Sequence, residues 1–193
     1  RDFCLSRGLG DVYKRQIGNL FSANKISEYL KSQRVDMLPK TILEYLTYLN
    51  SAYFVRRIRP MDIQGKKQFQ IGEKYYFEDL GIRNAIRPFR ATDIGQVLEN
   101  VVCHHLLVCG YALYIGRDGD KEVDFVAERN GEKLYVQVAY SVIDPKTHER
   151  EFGNLLAIQD NYPKIVVTMD EVEGVSYQGI EQVPVRKFLL RWK

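Results

Sequence analysis

The sequence predicts a mixed α/β protein in two units, a winged helix-turn-helix followed by an αβββαβ domain. Three observations carry this expectation. Helical periodicity over Ala23 to Ser32 and again after Pro39 is followed directly by two strand-like runs. A long amphipathic stretch from Ile94 precedes three runs of strand character. The dipeptide Asn130-Gly131, the strongest short hairpin signal, joins the second of those runs to the third.

The chain opens with a segment that fits neither unit. Ser6 to Gln16 reads SRGLGDVYKRQ and is similar to the in-frame translation of a transposase-type sequencing-library adapter. Its Gly8-Leu9-Gly10 lacks the preceding strand, third glycine and following helix that a phosphate loop requires. Residues 1–16 are therefore expected to be a leader foreign to the native chain, whose own reading begins near Ile17. That segment holds Arg1, Arg7, Lys14 and Arg15 against Asp2 and Asp11, so it supplies +2 of the formal +3 charge. Global basicity is then no argument for a nucleic-acid partner. No apolar run approaches the roughly 20 residues of a membrane span. Cys103 and Cys109 are isolated, which predicts reduced, structural thiols and a cytoplasmic protein.

The first unit is expected over residues 17–86. Ser22 is placed to cap a helix over Ala23 to Ser32, with Ile26, Tyr29 and Leu30 on one face. After a turn, Pro39 suits the start of a second helix, whose Ile42, Tyr45, Leu46 and Leu49 form the apolar stripe. Strands over Tyr53 to Arg59 and Gln68 to Phe77 complete the winged order, around a loop containing Gln64-Gly65-Lys66-Lys67. Duplex binding would place the second helix in the major groove, with Lys40, Arg56, Arg57, Arg59, Lys66 and Lys67 near phosphates. Glu44 and Tyr48 on that helix are poor base readers, so packing or dimerisation is an equal alternative. Asp79 to Thr92 reads as a junction with solvated Arg83, Arg87 and Arg90.

The second unit is expected over residues 87–193. It begins with a helix over Ile94 to Cys109, striped by Val97, Leu98, Val101, Val102, His105 and Leu106. Strands follow at Tyr111 to Ile115, Glu122 to Glu128 and Lys133 to Tyr140, then a helix over Lys146 to Gln159. A buried strand at Lys164 to Thr168, a short strand near Gly179 to Gln182 and a last helix from Val185 close the chain. The Asn130-Gly131 turn sets Asp124 opposite Gln137 and Glu122 opposite Ala139. These four would share one face, with Val123, Phe125, Ala127, Leu134, Val136 and Val138 on the other. A carboxylate about 5 Å from an amide oxygen is a candidate seat for Mg²⁺ or simply a solvated polar pair. His104 and His105 point about 100° apart and do not chelate together. Glu149-Arg150-Glu151 reads as a solvated first helical turn, with Arg150 a minor candidate cation for the site. Tyr135 and Tyr140 are candidates for base stacking or for plain packing.

With Glu99 on the first helix, Asp124 on the second strand and Gln137-Val138-Ala139 on the third, the second unit resembles the PD-(D/E)xK nuclease superfamily. The resemblance implies a restriction-endonuclease-like fold in which Glu99, Asp124 and Gln137 hold a Mg²⁺ ion and form the catalytic centre. The lysine that assists the attacking water in that family is replaced by Ala139. More broadly, LFSANKISEYL, DKEVDFVAERNGEKLYVQVAYS and EREFGNLLAIQDNYPKIVVTMD resemble the C-terminal region of bacterial and archaeal AAA-type ATPases. That likeness implies an upstream P-loop ATPase module, and with it DNA is the expected partner; no membrane is expected, since no apolar run is long enough. The sequence contains no Gly-x-x-x-x-Gly-Lys-Ser/Thr, so no ATP site is expected in this stretch. The expectation is a nucleic-acid-binding, nuclease-like accessory region with weak or no cleavage. An active Mg²⁺-dependent endonuclease and a protein-interaction module are the alternatives.

Overall fold

The computed structural model describes residues 23–65, 73–86, 89–172 and 174–191. Ser22, Lys66, Lys67 and Arg87 fall outside them. The fold is mixed α/β, and the chain divides into two compact units. Among the described residues, 59–65 group with the second unit, as do those from Thr92 onward. One boundary thus falls inside the strand Val55–Asp62, between Ile58 and Arg59, and another between Ala91 and Thr92, at the end of the expected junction.

In the first unit, helix α1 (Ala23–Ser32) turns into α2 (Pro39–Ser51). Pro39 occupies the opening turn of α2, where its missing N–H costs nothing. Ile26, Leu30, Ile42 and Leu46 are buried together with Val55, Tyr75 and Phe77. Tyr45 departs from the expected stripe and is exposed, because it lies just beyond the edge of the inward face. Each helix closes with a bond from the third residue past its end. Val35 N–H donates to the Leu30 carbonyl and Phe54 N–H to the Leu49 carbonyl, both at 2.9 Å. The residue skipped in each case, Arg34 or Tyr53, takes a left-handed backbone with φ of 62° and 54°.

Strand β1 (Val55–Asp62) pairs antiparallel with β2 (Lys74–Phe77) from Val55 opposite Phe77 to Ile58 opposite Lys74. A further helix, α3 (Leu80–Ile86), occupies the expected junction. Asp79 caps it, its Oδ1 accepting from Ile82 N–H at 3.1 Å and from Gly81 N–H. Gly81 sits in the first turn, where the cap outweighs its low helix propensity. Arg83, expected in solvent, is buried and donates to Asn84 Oδ1 at 2.9 Å.

The second unit is a mixed sheet between helices. After a short 3₁₀ turn, α4 (Ile94–Val108) leads into β3 (Ala112–Asp118), β4 (Lys121–Arg129) and β5 (Glu132–Ala139). Helix α5 (Pro145–Leu156), β6 (Lys164–Thr168), β7 (Ser176–Tyr177), β8 (Ile180–Pro184) and α6 (Val185–Arg191) follow. Asp144 caps α5 by accepting from Thr147 N–H at 2.9 Å. The strand order is β1-β3-β4-β5-β6-β8-β7, with β1 represented by Arg59 to Asp62. Strands β5, β6 and β8 run parallel, while β3, β4 and β5 are antiparallel. The small β7 was not foreseen, since two residues give no readable alternation.

Helix α5 covers one face through Phe152, Leu155 and the following Ile158, packed on Val123, Val126, Tyr135, Ala139 and Val166. No buried residue of α4 belongs to that cluster, although α4 packs on β3, β4 and β5, so it covers the opposite face. At the edge of the α5 layer, Tyr135 O–H donates to Asp160 Oδ2 at 2.6 Å and Lys164 Nζ reaches Oδ1 at 2.9 Å. Burial alone would push the Asp160 carboxyl up. The bonds from Tyr135 and Lys164 override this and hold it below the usual carboxylate value. The stabilisation is present above the unfolded value of about 3.9 and is lost as pH falls through the lower folded value. Asp160→Asn is expected to flatten the acid limb of a stability–pH profile measured by urea denaturation. An unchanged limb would mean that Asp160 makes no such contribution.

Candidate functional site

The predicted hairpin register is present. Asn130 and Gly131 have φ of 55° and 83°, the pair of positive values a type I′ turn requires. Arg129 lies opposite Glu132, and the ladder runs outward to Phe125 opposite Val136. One step further, side chains replace the backbone ladder. Asp124 N–H donates to Gln137 Oε1 at 3.3 Å, and Val138 N–H donates to Asp124 Oδ2 at 3.0 Å. The two strands part here, and the carboxylate and amide fill the gap.

The cause lies on the other edge of β4. Tyr114 pairs with Val126, whereas Gly116 pairs with Val123, so Asp124 and Phe125 together oppose Ile115. This is a β-bulge, which adds one residue and re-aims its side chain. It overturns the simple alternation expected for β4. Val123, assigned to the face away from Asp124 and Ala139, packs in the same cluster as Val126 and Ala139. Gly116 fits the same picture, since a Cβ there would stand 2.8 Å from Val126 Cγ2 and 3.1 Å from Val123 Cβ.

The face carrying Gln137 and Ala139 is not open to solvent. It lies beneath α5, which brings in a residue that the sequence reading had placed in water. Glu151 is buried, and its Oε2 accepts from Gln137 Nε2 at 2.7 Å. Its Oε1 accepts from Arg150 Nε at 3.0 Å, and the Arg150 side chain is itself 68% exposed. A chain of contacts therefore runs from solvent through Arg150, Glu151, Gln137 and Asp124 to the Val138 backbone. Spacing could have flagged Glu151, which sits four residues before the inward Leu155. Helix phase set from Phe152 and Leu155 turns it toward the sheet.

Of the three predicted ligands, the structure joins Asp124 and Gln137. Glu99 is buried on α4. Among the described residues, no three His, Cys, Asp or Glu side chains form a group able to hold a metal ion. Ala139 is buried in the α5 cluster. Tyr135 is buried and bonded to Asp160, which excludes it from stacking, whereas Tyr140 is exposed. Cys103 and Cys109 form no disulfide, and Cys109 Sγ lies 3.6 Å from His105 Nε2. A cavity of about 380 Å³ opens elsewhere in this unit, beside Gln64, Asp118 and Asp160, and none of the predicted site residues lines it.

The basic residues of the first unit divide. Lys40 is exposed at the start of α2. Arg56 pairs with Glu78 at 2.8 Å and Arg57 with Glu73 at 3.7 Å, so both carry a local counter-charge. Arg59, also exposed, groups with the second unit. Lys66 and Lys67 lie outside the described residues.

Every residue of the Asp124 cluster falls in one matched region. Residues 94–188 match DUF4143, a domain of unknown function. The DUF4143 match takes in α4 and the sheet from β3 onward, with Glu99, Asp124, Gln137 and Glu151. Residues 6–93 match DUF8612, also a domain of unknown function, and that match includes the adapter-like stretch Ser6 to Gln16. An uncharacterized protein of Haemophilus influenzae is 37% identical over 175 residues, covering 91% of this chain and 43% of that protein. The chain thus spans less than half the length of this relative. No solved structure matches it. No helix among the described residues is long and apolar enough to cross a membrane.

Proposed function

We propose that this chain is the nuclease-like accessory region of a longer cytoplasmic protein with a P-loop ATPase module, and that it binds nucleic acid without cutting it. The observation that supports the absence of cutting most directly is the fate of Gln137 and Ala139. Gln137 spends its amide oxygen on Asp124 N–H and its amide N–H on Glu151. Ala139, where the nuclease-like family places its lysine, packs under α5 and offers no group to position or deprotonate water. A Mg²⁺ ion at Asp124 would meet a carboxylate already bonded to Val138 N–H and a neutral Gln137 amide already bonded to Asp124 N–H and Glu151. The residues fit such an ion poorly. Loss of a general acid–base group typically costs on the order of 10²–10⁴-fold in rate. The 43% coverage of the relative is consistent with a further module in a longer protein.

The test is incubation with supercoiled, linear and branched DNA in Mg²⁺ and in Mn²⁺, alongside a mobility-shift titration at several salt concentrations. Salt-dependent binding without cleavage is the expected result, and Lys40→Ala should lower the salt slope by about 1. Robust cleavage abolished by Asp124→Ala would overturn the proposal in favour of an active endonuclease. Absence of any shift would favour a protein-interaction module.

A further inference from the structure

The end of helix α2 holds a bulky residue where the backbone favours glycine. Tyr53 occupies the left-handed position that lets Phe54 N–H reach the Leu49 carbonyl, with φ of 54°. A left-handed conformation is uncommon for a non-glycine residue and a genuine outlier for a bulky one. Burial does not compensate for it, since the side chain is 73% exposed. Strain of this kind, unmatched by burial, directs attention to what the residue presents to solvent.

What it presents is specific. The Arg56 guanidinium lies 6.0 Å from the Tyr53 ring centroid, at the reach of a cation–π contact. Glu78 ties Arg56 down at 2.8 Å, fixing the cation over one face of the ring, leaving the other for a ligand, and offsetting its charge. Tyr48, whose carbonyl accepts from Ala52 N–H at the same helix end, is also exposed. An offset arginine is a poor phosphate anchor but a good flat neighbour for a neutral ring. We infer that Tyr53, flanked by Arg56, is a stacking platform for an unpaired nucleobase, so that the preferred ligand is single-stranded rather than duplex. A paired base keeps its faces inside its own stack, and only an unpaired one offers a face to an isolated tyrosine. This rests on the nucleic-acid-binding reading above and names its ligand class.

Fluorescence anisotropy with a labelled oligo-dT and a blunt duplex of equal length tests it on the intact chain. The single strand is expected to bind more tightly. Tyr53→Gly should weaken it about tenfold with the salt slope unchanged, and Tyr53→Phe should retain most of the affinity. Because glycine relieves the backbone, Tyr53→Gly should also melt higher than the parent chain. If the oligonucleotide binds and Tyr53→Gly changes nothing, stacking at Tyr53 is refuted while the binding reading stands. If Tyr53→Gly melts lower, the side chain is a packing residue and the inference fails at its premise. If neither oligonucleotide binds, both readings fall together.

Discussion

Phe152→Ala is expected to lower stability by about 3–5 kcal/mol, the largest effect of any single truncation considered for the second unit. Phe152 is 1% exposed and lies at the centre of the cluster beneath α5, against Val123, Ala139, Leu155 and Val166. His148 stacks on its ring at 4.3 Å between centroids, and Tyr177 meets it edge-on at 5.5 Å. Truncation opens a cavity that the sheet cannot close, because strands on both sides hold its backbone fixed. It also removes the ring on which His148 and Tyr177 rest. Urea denaturation with a constant slope reads the loss directly. A decrease below about 2 kcal/mol would mean that α5 is docked by something other than this contact.

The second large effect is expected at Gln137. Gln137→Leu keeps the volume roughly constant but leaves Asp124 N–H and Glu151 Oε2 without the partners they have now. Each orphaned buried polar group costs about 1–3 kcal/mol, so a loss of about 3 kcal/mol is expected. Removing Glu151 as well should recover part of that. In Gln137→Leu/Glu151→Leu the buried carboxylate is gone, and the exposed Arg150 returns to water. The two substitutions are therefore expected to be non-additive, with the double variant more stable than the sum of the singles implies. Strict additivity would show that the amide and the carboxylate are not energetically coupled.

Both effects depend on a part of the fold that the sequence revealed unevenly. The hairpin was legible because Asn130-Gly131 enforces a turn geometry that few other dipeptides take, and the turn then counts outward residue by residue. The helices α1, α2 and α4 were legible from apolar spacing. The bulge was not, since β-bulges leave no compositional mark beyond an alternation that fails to fit. Val123 was consequently assigned to the wrong face. Glu151 was missed for a different reason. Its neighbours Glu149 and Arg150 gave a charged run the look of a solvated turn, and only the phase of Phe152 and Leu155 argues otherwise. Helix α3 was hidden in a stretch that read as an arginine-bearing junction, and Gly81 in its first turn weakens a helix less there than in its interior. In the first unit the charges were visible, but the acids that answer them, Glu73 and Glu78, are close only once β1 and β2 pair.

The bulge in β4 makes Asp124 supernumerary. Read without it, the strand alternates regularly: Val123, Phe125, Val126 and Ala127 would fall on successive opposite faces, as the observed packing already has them. The acid was, in this sense, added to a finished ladder rather than exchanged for one of its members. Length, not composition, is then the variable to watch at this point of the chain. A protein one residue shorter here should keep its core and its sheet, losing the side chain that spans the gap to Val138 and the N–H that holds Gln137 Oε1. A chain with Asp124 deleted is expected to fold with α5 still docked, as judged by near-ultraviolet circular dichroism. Collapse of that signal would show that the extra residue carries the strand after all.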